Sequence, residues 1–161
     1  MTTILTGGCL CGRTRFRLRT DSLEAAYCHC TMCRRATGCA AWLFLTLPAS
    51  GLDWLTAPPS SFASSRIASR SFCPGCGSPM TFRLNGAATV DVSVGCLDTP
   101  GLVQPARHHG IESRPAGLAF HDGLPVQRSE DSAGLLEAWR QAYGPDAEPG
   151  PPWRPDRVNE G

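Results

Sequence analysis

The chain has no lysine, no long apolar run and no recognisable leader sequence at its start. Its fifteen cationic residues are all arginines, a bias from which no function follows. None of its apolar stretches is long enough to cross a bilayer. The opening sequence Met-Thr-Thr-Ile-Leu-Thr-Gly-Gly lacks the basic segment and apolar core of a secretory signal. We therefore expect a cytoplasmic protein that does not enter a membrane.

The chain also lacks the strong positive charge that is typical of proteins that bind nucleic acids. Its net charge is +1, although the charges are unevenly distributed. Residues 1–40 contain six arginines and two acidic residues, whereas residues 121–161 contain four arginines and eight acidic residues. This weak balance argues against nucleic-acid binding as the main function. No Ser-His-Asp arrangement, phosphate-binding glycine loop or dinucleotide fingerprint is evident either.

Length and composition predict one globular domain with a core of its own. The 161 residues are 42% apolar and 18% charged, and they show no internal repeat. We expect a zinc-binding domain over residues 1–127, followed over 128–161 by a helix and a proline-rich tail. Because cytosolic thiols stay reduced, the nine cysteines are better explained as metal ligands than as disulfides.

The hydrophobic pattern predicts an all-β domain with one helix near its C-terminal end. From Arg13 to Thr20, apolar residues and threonines alternate with arginines, which indicates a strand with one buried face. The apolar run at residues 40–47 fits a strand that is buried on both faces. Further strands are expected at 23–27, 52–55, 65–72, 80–84 and 89–94. Apolar residues at helical spacing between Leu135 and Tyr143 predict the helix, and we expect disorder from Gly150 onwards.

Two separated cysteine pairs together offer the four ligands of a closed, structural zinc site. Cys73 and Cys76 stand in a C-x-x-C turn with glycines, which allow the positive φ angles of such a turn. Cys9 and Cys11 are two residues apart, so their side chains address the same face of an extended segment. A thioredoxin-like redox pair is the alternative for the C-x-x-C turn, but the βαβ pattern that this motif requires is absent.

Between these pairs lies a compact cluster of three cysteines, Cys28, Cys30 and Cys33. Three protein ligands leave the fourth zinc position open for water or a substrate atom, as in catalytic sites. His29, Cys39 or Cys96 could instead complete a second closed site. His29 lies between two ligands and should point to the opposite face, which makes it a poor candidate.

Four cationic or titratable residues outside these clusters are candidates for roles in chemistry. Arg34 and Arg35 directly follow the three-cysteine cluster and could bind a substrate carboxylate, or form a solvated pair of charges. His108 and His109 could shuttle protons, although a histidine pair in a segment rich in proline and glycine is more often merely exposed.

Three motifs together resemble one known family. They are Gly-Gly-Cys-Leu-Cys-Gly at 7–12, Cys-His-Cys-Thr-Met-Cys-Arg-Arg at 28–35 and Phe-Cys-Pro-Gly-Cys-Gly-Ser-Pro at 72–79. They resemble the glutathione-dependent formaldehyde-activating enzyme family, which includes centromere protein V. The resemblance continues through residues 92–98 and 121–125 and covers the chain to about residue 127.

The resemblance implies a β-tent fold of small antiparallel sheets that binds two zinc ions per chain. It implies a structural zinc at Cys9, Cys11, Cys73 and Cys76, and a catalytic zinc at Cys28, Cys30 and Cys33. The implied activity is that of a carbon–sulfur lyase, which forms or breaks an adduct between a thiol such as glutathione and an aldehyde such as formaldehyde. The alternative is a non-catalytic zinc module that binds a protein or chromatin partner.

Overall fold

A computed structural model describes residues 1–118 and 120–150, and most of the regular secondary structure within them is β-strand. Two α-helices accompany them, α1 (Thr31–Thr37) and α2 (Ala133–Tyr143). The strands are β1 (Thr3–Gly8), β2 (Arg15–Thr20), β3 (Glu24–Cys28), β4 (Trp42–Pro48), β5 (Leu52–Trp54), β6 (Ser60–Ser65), β7 (Ala68–Phe72), β8 (Pro79–Leu84), β9 (Thr89–Ser93) and β10 (Gln104–His109). The prediction of an all-β fold of the β-tent type with one C-terminal helix is confirmed.

The strands form two sheets of unequal size. The smaller sheet has three antiparallel strands in the order β1-β2-β5. The larger sheet has seven strands in the order β10-β3-β4-β9-β8-β7-β6. Its pairs are antiparallel except for β10 and β3, which run parallel at one edge.

Strand β2 shows the predicted alternation between a buried and a charged face. Phe16 and Leu18 are fully buried, and the intervening arginines point outward. Arg17 and Arg19 both form ion pairs with Asp53 of the neighbouring strand β5. Because these pairs are partly solvated, the buried apolar face contributes more to stability than they do.

The main core lies between the two sheets. Leu5, Phe16 and Leu18 of the smaller sheet pack in the same cluster as residues of β4 and β9 on the larger sheet. Those residues are Leu45, Leu47, Val90 and Val92. The prediction that the 40–47 run is buried on both faces is wrong, since Thr46 is exposed and Phe44 only half-buried. The second face of β4 borders a cavity instead of the core.

The sequence analysis missed three strands and gave inaccurate bounds for one other. The segment at 65–72, expected to be one strand, contains the end of β6, a turn and then β7. Strands β1, β6 and β10 were not predicted. Strand β10 contains Pro105 and a register shift beside it, and it exists because it pairs with β3 at the sheet edge. Its sequence carries no periodic signal of its own.

Helix α2 is fastened by its C-terminal end to the turn between β6 and β7. The backbone N–H of Arg66 donates a 2.7 Å hydrogen bond to the Tyr143 hydroxyl, and the Arg66 guanidinium donates to the Ala142 carbonyl. Trp139 is buried on the inner side of the helix. Neither this helix nor any other in the described part of the chain could cross a membrane. The predicted disorder beyond Gly150 concerns residues 151–161, which lie outside the described residues, and the division at residue 127 stays a prediction.

We expect Gly7→Ala to lower the free energy of unfolding by about 1–3 kcal/mol. A Cβ atom at this position would lie 2.4 Å from both the Cys96 carbonyl oxygen and the Phe16 ring. Gly101→Ala is the matched control, because a Cβ there meets no atom within 4 Å. Thermal or urea unfolding measures both variants, and equal loss of stability in the two would contradict the close approach at Gly7.

Candidate metal centres

The four-cysteine group joins the start of the smaller sheet to a turn of the larger one. Cys9 and Cys11 follow β1, whereas Cys73 and Cys76 lie in the turn between β7 and β8. All four sulfur atoms lie within 4.8 Å of one another. The group therefore brings together the two pairs that the spacing singled out, although more than sixty residues separate them in the chain.

Tight turns hold these sulfur atoms in place. The Gly77 N–H donates to the Cys73 carbonyl at 2.8 Å, and Gly77 has a φ of 74°, which favours glycine. The Thr14 N–H donates to the Cys9 sulfur at 3.3 Å. Hydrogen bonds from Ser78, first through its hydroxyl, lower the pKa of Cys76 to about 5. Donors of this kind favour thiolates, so the group fits a tetrahedral metal ion.

The three-cysteine group lies where β3 ends and α1 begins. Cys28 is the last residue of β3, and Cys30 caps α1, its sulfur accepting a 3.3 Å hydrogen bond from the Cys33 N–H. The three sulfur atoms lie within 4.8 Å of one another. Gly110 packs closely against Cys30. Its φ is 65°, and a Cβ atom at this position would lie 2.9 Å from the Cys30 backbone nitrogen.

The electrostatics of this group favour a bound cation. Hydrogen bonds from Cys28 and Cys33 lower the pKa of Cys30 to about 3. Hydrogen bonds with Cys30 and Cys33 raise the pKa of Cys28 well above its ordinary value. By themselves, the three thiols therefore resist ionising together. A divalent cation would allow all three to be thiolates, so the donor set fits a soft or borderline metal ion.

No fourth ligand joins this group among the described residues. Cys39 is exposed, and its sulfur lies 3.7 Å from the Thr37 carbonyl oxygen. Cys96 is half-buried against the main core, with its sulfur 3.4 Å from the Pro79 carbonyl oxygen. His29 is directed elsewhere, as expected from its place between two ligands. The three alternatives for closing the site are thus excluded within the described part of the chain.

A cavity of about 310 Å³ opens beside the three-cysteine group. Apolar side chains of Met32, Trp42 and Phe44 form part of its wall, and Asp91 and His109 contribute polar groups. All three cysteines of the group line it, and none of the four-cysteine group does. The three-cysteine group therefore faces a space that could admit a small molecule.

Arg70 is a site residue that the sequence analysis missed. Its guanidinium Nη2 lies 3.2 Å from the Cys33 sulfur, and the residue is buried although it carries a charge. Its central carbon lies 4.7 Å from the centre of the Phe82 ring and 5.6 Å from that of Trp42. Arg70 therefore offsets the negative charge of the sulfurs. Its place in the predicted strand at 65–72 gave no sign of this contact, because Cys33 lies 37 residues away in the chain.

Arg34 and Arg35, predicted to contact a substrate, do not line this cavity. The Arg34 Nε donates to the His29 carbonyl at 3.2 Å, so this side chain supports the loop between Cys28 and Cys30. Arg35 is exposed. Their role as substrate contacts stays a prediction.

The two neighbouring histidines are not an exposed pair in a loop, and that expectation is wrong. Both lie on β10 and point to opposite faces. His108 is buried, with its Nδ1 2.8 Å from His29 Nε2 and its Nε2 3.1 Å from a carboxylate oxygen of Asp122. His109 lines the cavity. The row of Asp122, His108 and His29 thus holds the loop of the three-cysteine group from behind.

Comparison with known proteins agrees with the fold and with the motifs. A family model described as "Glutathione-dependent formaldehyde-activating enzyme" matches residues 4–113. The chain is also similar to a crystal structure of a Rhodobacter sphaeroides protein. The two share 20% sequence identity and a TM-score of 0.50 over 76% of this chain and 98% of the other, a likeness that supports the fold alone. A search of curated proteins found no match.

We expect Cys76→Ser to give insoluble or unfolded protein, because it removes one ligand of the group that links the two sheets. A structural metal site of this type contributes on the order of 10 kcal/mol in isolated peptides. Cys39→Ser is the matched control, since Cys39 is exposed and belongs to neither group. Soluble yield and thermal unfolding measure the effect. A soluble, cooperatively melting Cys76→Ser variant would contradict a structural role for this group.

We expect Arg70→Gln to weaken metal binding by the three-cysteine group about 10- to 100-fold, because it removes a charged hydrogen-bond donor from Cys33. Competition with a chelator measures the affinity. Arg83→Gln serves as the control: Arg83 is exposed on β8, and its guanidinium donates to the Ala87 carbonyl. Equal affinities in the two variants would show that Arg70 has no influence on the metal.

Proposed function

The chain belongs to the glutathione-dependent formaldehyde-activating enzyme family, and on this premise we propose that it is a zinc-dependent carbon–sulfur lyase. The reaction joins a small thiol of the glutathione type to a small aldehyde of the formaldehyde type, or separates them again. The observation that carries the proposal is the three-cysteine group at the wall of a cavity, without a fourth ligand in the described part of the chain.

Zinc is the metal that best suits both groups. Four thiolates in a closed set are typical of structural zinc, and three leave the open position that catalytic zinc requires. A zinc ion at Cys28, Cys30 and Cys33 would supply positive charge that lowers the pKa of a substrate thiol or polarises an aldehyde carbonyl. The side chains around it set the conditions for that chemistry.

Those side chains supply charge balance, exclusion of water and room for substrate. Arg70 opposes the excess negative charge of three thiolates, which would otherwise repel an incoming thiolate. The apolar walls at Met32, Trp42 and Phe44 limit water around the reacting atoms. A volume of about 310 Å³ is within the usual range for small-molecule sites.

Arg128 is better placed than Arg34 or Arg35 to hold a carboxylate of the thiol substrate. It lines the cavity, which neither of the other two arginines does. Its Nε contacts Glu130, but the planar guanidinium group has further donors for a second carboxylate.

We expect elemental mass spectrometry to find two zinc ions per chain, falling to one in Cys30→Ser while the protein stays folded. The remaining zinc is that of the four-cysteine group, which Cys30 does not touch. The same variant should reduce thiol–aldehyde adduct formation to the spontaneous rate, measured by NMR with glutathione and formaldehyde. Cys39→Ser should change neither quantity.

Two outcomes would contradict this function. One zinc per chain, unchanged by Cys30→Ser, would show that the three-cysteine group holds no zinc in the purified protein. Two zinc ions with no rate above the spontaneous reaction would favour a non-catalytic zinc module that binds a partner.

A further inference from the structure

We propose that Asp91 is the residue that moves the proton in this reaction, taking it from the substrate thiol and giving it to the oxygen of the adduct. The inference rests on the proposed function and adds to it a catalytic group that is not a metal ligand. It is drawn from the geometry of the larger sheet on the side away from the main core.

Cross-strand register brings Asp91 to the floor of the cavity. Asp91 on β9 lies opposite Thr46 on β4 and opposite Phe82 on β8, and Phe82 lies opposite Arg70 on β7. Directly paired residues project to the same face of a sheet. On β4, Trp42, Phe44 and Thr46 alternate onto this same face. Cys28 pairs with Trp42, so it lies on this face too. Asp91 and the three-cysteine group therefore face the same space.

The Asp91 carboxylate is held but not neutralised. The Thr46 hydroxyl donates a 2.6 Å hydrogen bond to Oδ1. Among the described residues, no hydrogen bond reaches Oδ2, and Asp91 has no cation within ion-pair distance. An aspartate inside a strand is unfavourable, and one beside an apolar wall is more so. A structural role would call for a fully satisfied carboxylate, whereas Asp91 lines the cavity and only its Oδ1 accepts a hydrogen bond within the described part of the chain.

The other acidic group of the cavity is already occupied. Both oxygens of the Glu112 carboxylate accept hydrogen bonds from Ser129, at 2.5 and 3.2 Å, so this side chain holds the segment that precedes α2. Asp91 is consequently the carboxylate of the cavity with an oxygen available to a substrate.

The surroundings of Asp91 suit proton transfer near neutral pH. Burial raises the pKa of Asp91 to about 6, and the charge of Cys33 adds to this, while the Thr46 hydrogen bond and Arg70 oppose it. The charged and titratable groups around the same cavity are Arg70, Cys28, Cys30, Cys33, His109, Glu112 and Arg128. Carboxyl groups with a pKa in this range can both accept and return a proton.

The step is balanced within the two substrates and Asp91. The carboxylate accepts the proton of the thiol, and the sulfur electron pair forms the new bond to the aldehyde carbon. The π electrons of the carbonyl move to its oxygen, which then takes the proton from the carboxylic acid. Asp91 returns to its starting state, nothing is oxidised or reduced, and the reverse path cleaves the adduct.

Asp91→Asn tests the inference, because asparagine keeps the shape and the Thr46 contact but cannot take up a proton. We expect the enzymatic part of kcat for adduct formation to fall about 100-fold or more. The zinc content should stay at two per chain. Asp91→Glu, which retains a carboxylate, should recover a measurable part of the rate. Asp98→Asn is the matched control, because this aspartate pairs with Arg15 and does not line the cavity.

The pH profile separates proton transfer from a purely structural role. The rate should fall as the pH drops below about 6, because Asp91 must be ionised to accept the thiol proton. Thr46→Val removes a hydrogen bond that lowers this pKa. Thr46→Val should therefore move the acid limb of the pH–rate profile to higher pH. This shift tests the role of Asp91 even if Asp91→Asn does not fold.

The outcomes distinguish this inference from the function on which it rests. An active wild type with an equally active Asp91→Asn variant would overturn the role of Asp91 and leave the proposed function standing. If the acid limb of the pH–rate profile does not move in Thr46→Val, the role of Asp91 is likewise overturned while the proposed function stands. A wild type that does not exceed the spontaneous rate would overturn both.

Discussion

The fold depends on the crowding of sulfur atoms that cannot all carry charge without a cation. Seven cysteines collect into two groups, each with its sulfurs within 4.8 Å of one another. Thiolates this close repel strongly, and protonated thiols gain little from such contact. A bound metal ion would remove this conflict and turn each group into a crosslink. At the four-cysteine group it would connect the first strand to a hairpin much later in the chain.

The two faces of the seven-stranded sheet have different roles: one packs in the core, and the other forms part of the candidate site. One face packs against the smaller sheet through residues such as Leu45 and Val92. The other face carries Arg70 and Asp91 beneath the cavity and ends at Cys28. Because side chains alternate along a strand, one stretch of backbone can serve both purposes. The apolar run of β4 was misjudged for this reason: its second face is a site wall and not a core.

The two metal groups differ in their surroundings more than in their ligands. The four-cysteine group is held by turns and backbone donors and does not line the cavity. The three-cysteine group is supported from behind by His29, His108 and Asp122 and has Arg70 at its side. A rigid support on one side and open space on the other are what a reactive, exchangeable position requires.

The sequence by itself determined the cysteine groups, the alternation of β2 and the C-terminal helix. Each of these follows from spacing over a few residues, which reports on neighbours along the chain. Only the tertiary structure decided the positions of Arg70, Asp91 and His108, and the existence of β10. These depend on register between strands, which joins residues such as Thr46 and Asp91 that lie 45 positions apart. Register is a property of the assembled sheet, because each pairing is fixed by the next, so no local pattern could have revealed it.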